Sequence, residues 1–178
     1  MATTQFLFSG FGGQGILFAG KFIAYKGLTE DKQVSWLPSY GPEMRGGTAN
    51  CNVILSDTPV GSPIITEPDV LIAMNLPSLE KYKNTVAPGG QIYLDSSLID
   101  ARVDREDVQV FYIPATAMAK ENDIASLANM IIIGSLLENN PELSFEGTEA
   151  VVSKLVPPTK AALVELNMKA LNMGKEYK

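Results

Sequence analysis

Residues 5–26 read QFLFSGFGGQGILFAGKFIAYK, and the fold class is decided within them. Gln5 to Ser9 is a short apolar run of strand length. Ile16 to Lys26 is apolar nearly all round except at Lys21 and Lys26, the pattern of a helix buried on more than one side. Between the two lie Gly10, Gly12, Gly13 and Gly15, with Phe11 and Gln14 interspersed. A strand that runs through a glycine turn into a buried helix is the opening unit of an α/β domain. Gly27 is expected to stop the helix as its first residue beyond the cap.

Working outward, extended and helical patterns alternate. Gln33 to Leu37 and Thr48 to Leu55 read as strands, the latter with Ala49, Cys51, Val53 and Leu55 on one face and Thr48, Asn50 and Asn52 on the other. Val70 to Met74, Gln91 to Leu94 and Val108 to Ile113 read as further strands, and a helix starts near Pro77. Three helical stretches close the chain: Ile124 to Glu138, a second capped by Ser144 and ending at Pro157-Pro158, and a third from Thr159 to Met173. The expectation is one α/β domain over 1–178, a three-layer α/β/α sandwich on a mostly parallel sheet. No helix separates the extended pieces of 48–65, so part of the sheet is expected to be antiparallel.

The 178 residues suffice for one domain with a full core and are too few for two. Histidine is absent, which excludes a Ser-His-Asp triad, an imidazole zinc site and a histidine proton shuttle. The single cysteine, Cys51, excludes an internal disulfide and an iron–sulfur cluster ligated by cysteines of this chain alone. Its place on an apolar strand face reads as a buried small hydrophobe. A net charge of −6 repels phosphate backbones and argues against nucleic acid as a partner. The first basic residue is Lys21, and the most apolar stretch, Met130 to Leu137, is far below the ~18–20 residues of a membrane span. A soluble, cytoplasmic protein with no membrane partner is expected.

Two loops carry the chemistry. The first contains G-x-G-x-x-G between strand and helix, a context in which backbone N–H groups at a helix N-terminus meet a phosphate or carboxylate. Two readings stand: an anion site, or a tight turn with close helix packing to which Gly20 contributes. Gln14, a polar side chain in a spare loop, favours the first. A stand-alone NAD(P)-binding oxidoreductase would place an acidic residue at the end of the second strand. Here that strand ends Leu37-Pro38-Ser39, while Glu30 and Asp31 precede it.

The second loop holds Ser39, Tyr40, Gly41, Pro42, Glu43, Met44, Arg45 and Gly46. It follows its strand on the same sheet edge as the first, where open α/β sheets bind ligands. Arg45 suits bidentate recognition of an anion and Glu43 can orient it; a local Glu43–Arg45 ion pair is the plainer alternative. Asp95-Ser96-Ser97, after a strand, could touch a ligand, with a turn or helix cap the commoner explanation, and Asn129, alone in an apolar helix, requires a partner if buried.

The runs FSGFGGQGILFAGK (8–21), WLPSYGPEMRGGTANC (36–51) and PDVLIAMN (68–75) together resemble the gamma subunit of 2-oxoacid:ferredoxin (acceptor) oxidoreductases of the 2-oxoglutarate, branched-chain and pyruvate types. The resemblance implies a multisubunit enzyme of anaerobic metabolism that decarboxylates a 2-oxoacid oxidatively to an acyl-CoA and passes electrons to ferredoxin. It implies alpha and beta partner subunits and, in some complexes, a ferredoxin-like delta subunit. Thiamine diphosphate and the iron–sulfur clusters then belong to those partners, and this chain holds no cofactor alone. By resemblance, Gly10, Gly12, Gly13, Gln14 and Gly15 form one loop facing a ligand or partner, and Ser39 to Gly46 the other, and what they touch is coenzyme A, the thiamine cofactor or the alpha subunit alone. The chain is expected to be inactive alone, and to homodimerise if its partner surfaces pair with themselves. A purely structural assembly subunit is the remaining alternative.

Overall fold

A computed structural model describes residues 2–39 and 48–178. The strands are β1 (Thr3–Phe11), β2 (Gln33–Ser39), β3 (Thr48–Ser56), β4 (Val70–Ala73), β5 (Gln91–Asp95) and β6 (Gln109–Ile113). The helices are α1 (Ile16–Thr29), α2 (Leu76–Tyr82), α3 (Ala115–Glu121), α4 (Ala128–Asn139), α5 (Thr148–Leu155) and α6 (Ala162–Glu176). The strands form one sheet in the order β2-β3-β1-β4-β5-β6. β1, β4, β5 and β6 are parallel, while β3 runs antiparallel to both β1 and β2. The mixed sheet therefore meets the expectation drawn from 48–65.

β1 is central because both of its faces are apolar: Phe6 and Phe8 point into one core, Leu7 into the other. The first core is large. α1 and α4 cover it, with α5 and α6 packed behind them. The second is small and closed by α2 and the chain around Ile99 to Val110. The three layers are unequal, because the stretch after β5 crosses its face without forming a helix.

Several local readings need correction. Gly27 lies inside α1, which ends two residues later. The stop is Asp31 at φ 58°, with Lys32 N–H bonded to Gly27 O and Asp31 N–H to Leu28 O, a Schellman closure. Gly27 is a glycine for packing: a Cβ there would sit 2.4 Å from Leu55 Cδ2, and one on Gly20 2.4 Å from Cys51 Sγ. Gly20 thus serves close helix packing as expected. Helix α3 was not anticipated, and the stretch expected from Ile124 begins its α-helix at Ala128, after a short tighter turn. Ser144 does not cap α5; it accepts from Glu146 N–H in a local turn, and Gly147 occupies the cap.

Candidate functional site

The carboxyl ends of β1, β2 and β4 lie on one edge of the sheet, and the glycine loop emerges there. Its conformation is fixed by two carboxamides. Gln14 Oε1 accepts from Phe11 N–H at 2.7 Å, and Gln14 Nε2 donates to Met74 O, just beyond β4, at 2.9 Å. The amide lies over Gly10, where a Cβ would come 2.7 Å from Oε1. At the other end Asn129 Nδ2, from α4, donates to Gly15 O at 3.1 Å, and a Cβ on Gly15 would come 2.4 Å from that nitrogen. Asn129 thus finds a backbone partner for its nitrogen, while among the described residues its Oδ1 has none. The Gln14 carboxamide spans the loop from within, bonded at both its oxygen and its nitrogen.

Gly12 and Gly13 differ from their neighbours. Among the described residues no atom lies within 4 Å of a Cβ on either, and Gly13 adopts φ 88°. They face a cleft of about 290 Å³ lined by Phe11, Gly12, Gly13, Gly15, Ile16, Leu17, Phe18 and Ala49. The N-terminus of α1 opens into it. Gly15 caps that helix without a side-chain bond, and no acidic residue occupies its first turn, so its positive end is not neutralised from within. Among the described residues its walls are otherwise apolar. The cleft can therefore hold an anionic group at the helix end and an apolar body beside it.

The second loop bears on the same place through its ends. Ser39, exposed at the end of β2, pairs in register with Asn50, and Thr48 pairs with Phe11. Tyr40, Gly41, Pro42, Glu43, Met44, Arg45 and Gly46 lie outside the described residues.

Behind the loop runs a polar chain that the sequence reading missed. Ser9 Oγ donates to Asn50 Oδ1 at 2.6 Å and shares a 2.8 Å bond with Ser78 Oγ, and Asn50 Nδ2 donates to Tyr82 Oη at 2.7 Å. Asn75 caps α2 through Ser78 N–H at 2.9 Å. The signal was present in the polar face of β3 and in the asparagine that ends PDVLIAMN. Asp95 is structural, as expected: it accepts from Ser97 N–H at 3.0 Å and from the Thr116 hydroxyl, so tying down the start of α3.

A dinucleotide site is disfavoured by topology. In that fold the strand after the first helix lies beside β1 and carries the ribose-binding acid. Here β3 separates β2 from β1. Among the described residues, the cleft lining offers no side-chain carboxylate or carboxamide oxygen for a cation on a diphosphate such as that of thiamine diphosphate. An iron–sulfur cluster does not fit either. Cys51 is fully buried under α1, and burial pushes its thiol up to about 12, a shift only partly offset by the neighbouring Trp36 indole. Among the described residues no helix is long and apolar enough to cross a membrane.

Comparison with known proteins agrees with this architecture. Residues 5–177 match the family model described as pyruvate ferredoxin/flavodoxin oxidoreductase. The chain is 38% identical over 173 residues to the ketoisovalerate oxidoreductase subunit VorA of Methanothermobacter thermautotrophicus. That match covers 95% of this chain and 35% of that protein, so the chain spans about a third of the relative's length. The keto/oxoacid ferredoxin oxidoreductase gamma subunit of Geobacter sulfurreducens superposes with a TM-score of 0.82 at 32% identity, covering 97% of this chain and 96% of that one. The 2-oxoglutarate:ferredoxin oxidoreductase of Magnetococcus marinus, solved with 2-oxoglutarate, coenzyme A and succinyl-CoA bound, superposes with a TM-score of 0.86 at 26% identity, covering 98% of this chain and 31% of that one. The resemblance carried by the two loop motifs and PDVLIAMN is thereby borne out, and the chain belongs to the pyruvate ferredoxin/flavodoxin oxidoreductase family.

Proposed function

We propose that this chain is the gamma subunit of a cytoplasmic, multisubunit 2-oxoacid:ferredoxin oxidoreductase, inactive alone, and that its glycine-loop cleft contacts coenzyme A. Alpha and beta subunits, and a ferredoxin-like subunit where one is present, carry the thiamine diphosphate and iron–sulfur chemistry of oxidative decarboxylation. The observation that carries the reading is the cleft itself: an uncapped helix N-terminus beside apolar walls, at the carboxyl edge of the sheet. In this reading a phosphate of coenzyme A sits against the first turn of α1, held by backbone N–H groups and the helix dipole. The apolar arm lies along Phe11 and Phe18, and Arg45 in the second loop supplies a bidentate cation.

A second reading has one observation of its own. Phe11 at the loop and Leu76 at the start of α2 are 43% and 38% exposed on the same edge, as expected of a surface that meets another polypeptide. In that case the loops serve assembly alone.

Anaerobic purification with this chain as bait tests the proposal. The expected result is co-purification of an activity that reduces ferredoxin or a dye, dependent on a 2-oxoacid and coenzyme A, which the isolated chain lacks. Turnover by the isolated chain, or a partnerless chain under conditions that preserve complexes, overturns it. In the intact complex, Arg45→Ala raising KM for coenzyme A selects the first reading. Loss of assembly at unchanged KM selects the second.

A further inference from the structure

We propose that Gln14 and Asn129 are positioning residues, two carboxamides that hold the Gly10–Gly15 loop in ligand-ready form from its opposite ends. The inference rests on the reading of the loop as a coenzyme A contact, and it concerns residues that touch the loop rather than the ligand.

The loop is intrinsically loose. Gly13 and Gly15 adopt φ 88° and 75°, and a glycine crosses between such values and their mirror images at little cost. Beyond the 3.3 Å bond from Gln14 N–H to Phe11 O, the loop is restrained by two side chains far apart in sequence. Gln14 ties the exit of β1 to the exit of β4 by bonding both Phe11 N–H and Met74 O. Asn129 reaches out of α4 to Gly15 O, the carbonyl that also accepts the Ala19 N–H of α1. Each amide occupies the space where a Cβ would stand, which accounts for glycine at 10 and at 15.

Asn129 is the more telling of the two. It is 5% exposed, and among the described residues its Oδ1 has no partner. A buried acceptor left unpaired is destabilising, whereas a leucine of similar shape would carry no such penalty. The bond Asn129 does make is the one to the loop. Gly12 and Gly13, between the two clamps, are the part left open to the cleft. A binding loop restrained in this way meets its ligand without first being ordered, which preserves affinity.

The test uses the assembled enzyme, with coenzyme A as the varied substrate, and hydrogen exchange on the free chain. The variants are Gln14→Leu, Asn129→Leu and Gly12→Val. Both clamp variants are expected to raise KM for coenzyme A roughly 10- to 100-fold, with the change falling on KM rather than kcat. Each is also expected to quicken exchange at the far end of the loop: at the Ala19 amide in Gln14→Leu, and at the Phe11 and Gln14 amides in Asn129→Leu. A side chain that merely contacted the ligand would move KM without moving those amides. Should a leucine variant fail to fold, Gln14→Glu carries the test, since it keeps the acceptor for Phe11 N–H and loses the donor to Met74 O. Gly12→Val probes the ligand face directly. If it alters neither KM nor assembly, the coenzyme A reading falls. If it raises KM while the clamp variants keep wild-type KM and wild-type exchange, the clamp proposal is overturned and the coenzyme A reading stands.

Discussion

Cys51 shows how one residue's environment decides its chemistry. Its thiol is fully buried between β3 and Gly20 of α1, and burial raises its pKa from the ordinary 9.0 to about 12. The unfolded chain then ionises first. The stabilising difference is intact below about pH 9 and is lost as pH rises from there toward 12, at up to about 1.4 kcal/mol per pH unit. Cys51→Ala is expected to flatten the fall in melting temperature between pH 9 and 10.5. Iodoacetamide at pH 8 should modify the native thiol at least tenfold more slowly than the denatured one. The burial of Cys51 was legible in the sequence from the alternation of its strand. The role of Gln14 was not. The motif marked it as unusual, but its partner Met74 O lies sixty residues away across a parallel pairing that no local pattern encodes.

Among the helices, α4 and α6 make the most extensive contact. A Cβ on Gly134 would lie 2.0 Å from Leu171 O, and one on Gly174 1.7 Å from Ile131 O, so the two backbones touch. Neither obstacle is a flexible side chain, and relief requires one helix to move off the other. Gly134→Ala and Gly174→Ala should each destabilise the chain by about 3 kcal/mol, although alanine is the better helix former. A denaturant titration measures this, and a neutral or stabilising outcome would show that the helices sit further apart. Helix positions were largely legible, because apolar periodicity and proline breaks are local signals. Asp31 stops α1, and Asp123 at φ 59° plays the same part after α3, whereas the eye looks for glycine at such stops. Helix α3 was missed because Ile113-Pro114 reads as a turn, yet Pro114 followed by the strong helix formers of Ala115–Glu121 is also a helix start.

For the whole molecule, the sheet places every feature of the site on one edge. The strand content and the mixed character of the sheet were legible from alternation and from the missing helix in 48–65. The insertion of β3 between β1 and β2 was not, since pairing order is a tertiary choice, and it is this insertion that separates the chain from a dinucleotide-binding fold. The same edge exposes Phe11 and Leu76. Leu76→Lys is expected to leave the melting temperature of the free chain within about 2 °C, as for a surface change, and to weaken capture of partner subunits at least tenfold. Unchanged capture would locate the assembly surface elsewhere. The central place of β1 also bears on synthesis. β1 is made before both of its neighbours, β3 and β4, and β4 ends at Ala73. At about 5–20 residues per second the ribosome needs roughly 3–12 s to pass from Phe11 to Ala73. Until β3 is complete at Ser56 the nascent chain carries an apolar strand with both edges bare, and until Ala73 one with its β4 edge bare, a template for any other extended chain nearby. Translation speed over residues 12–73, and the chaperones that shield the emerging chain, are therefore expected to govern its soluble yield.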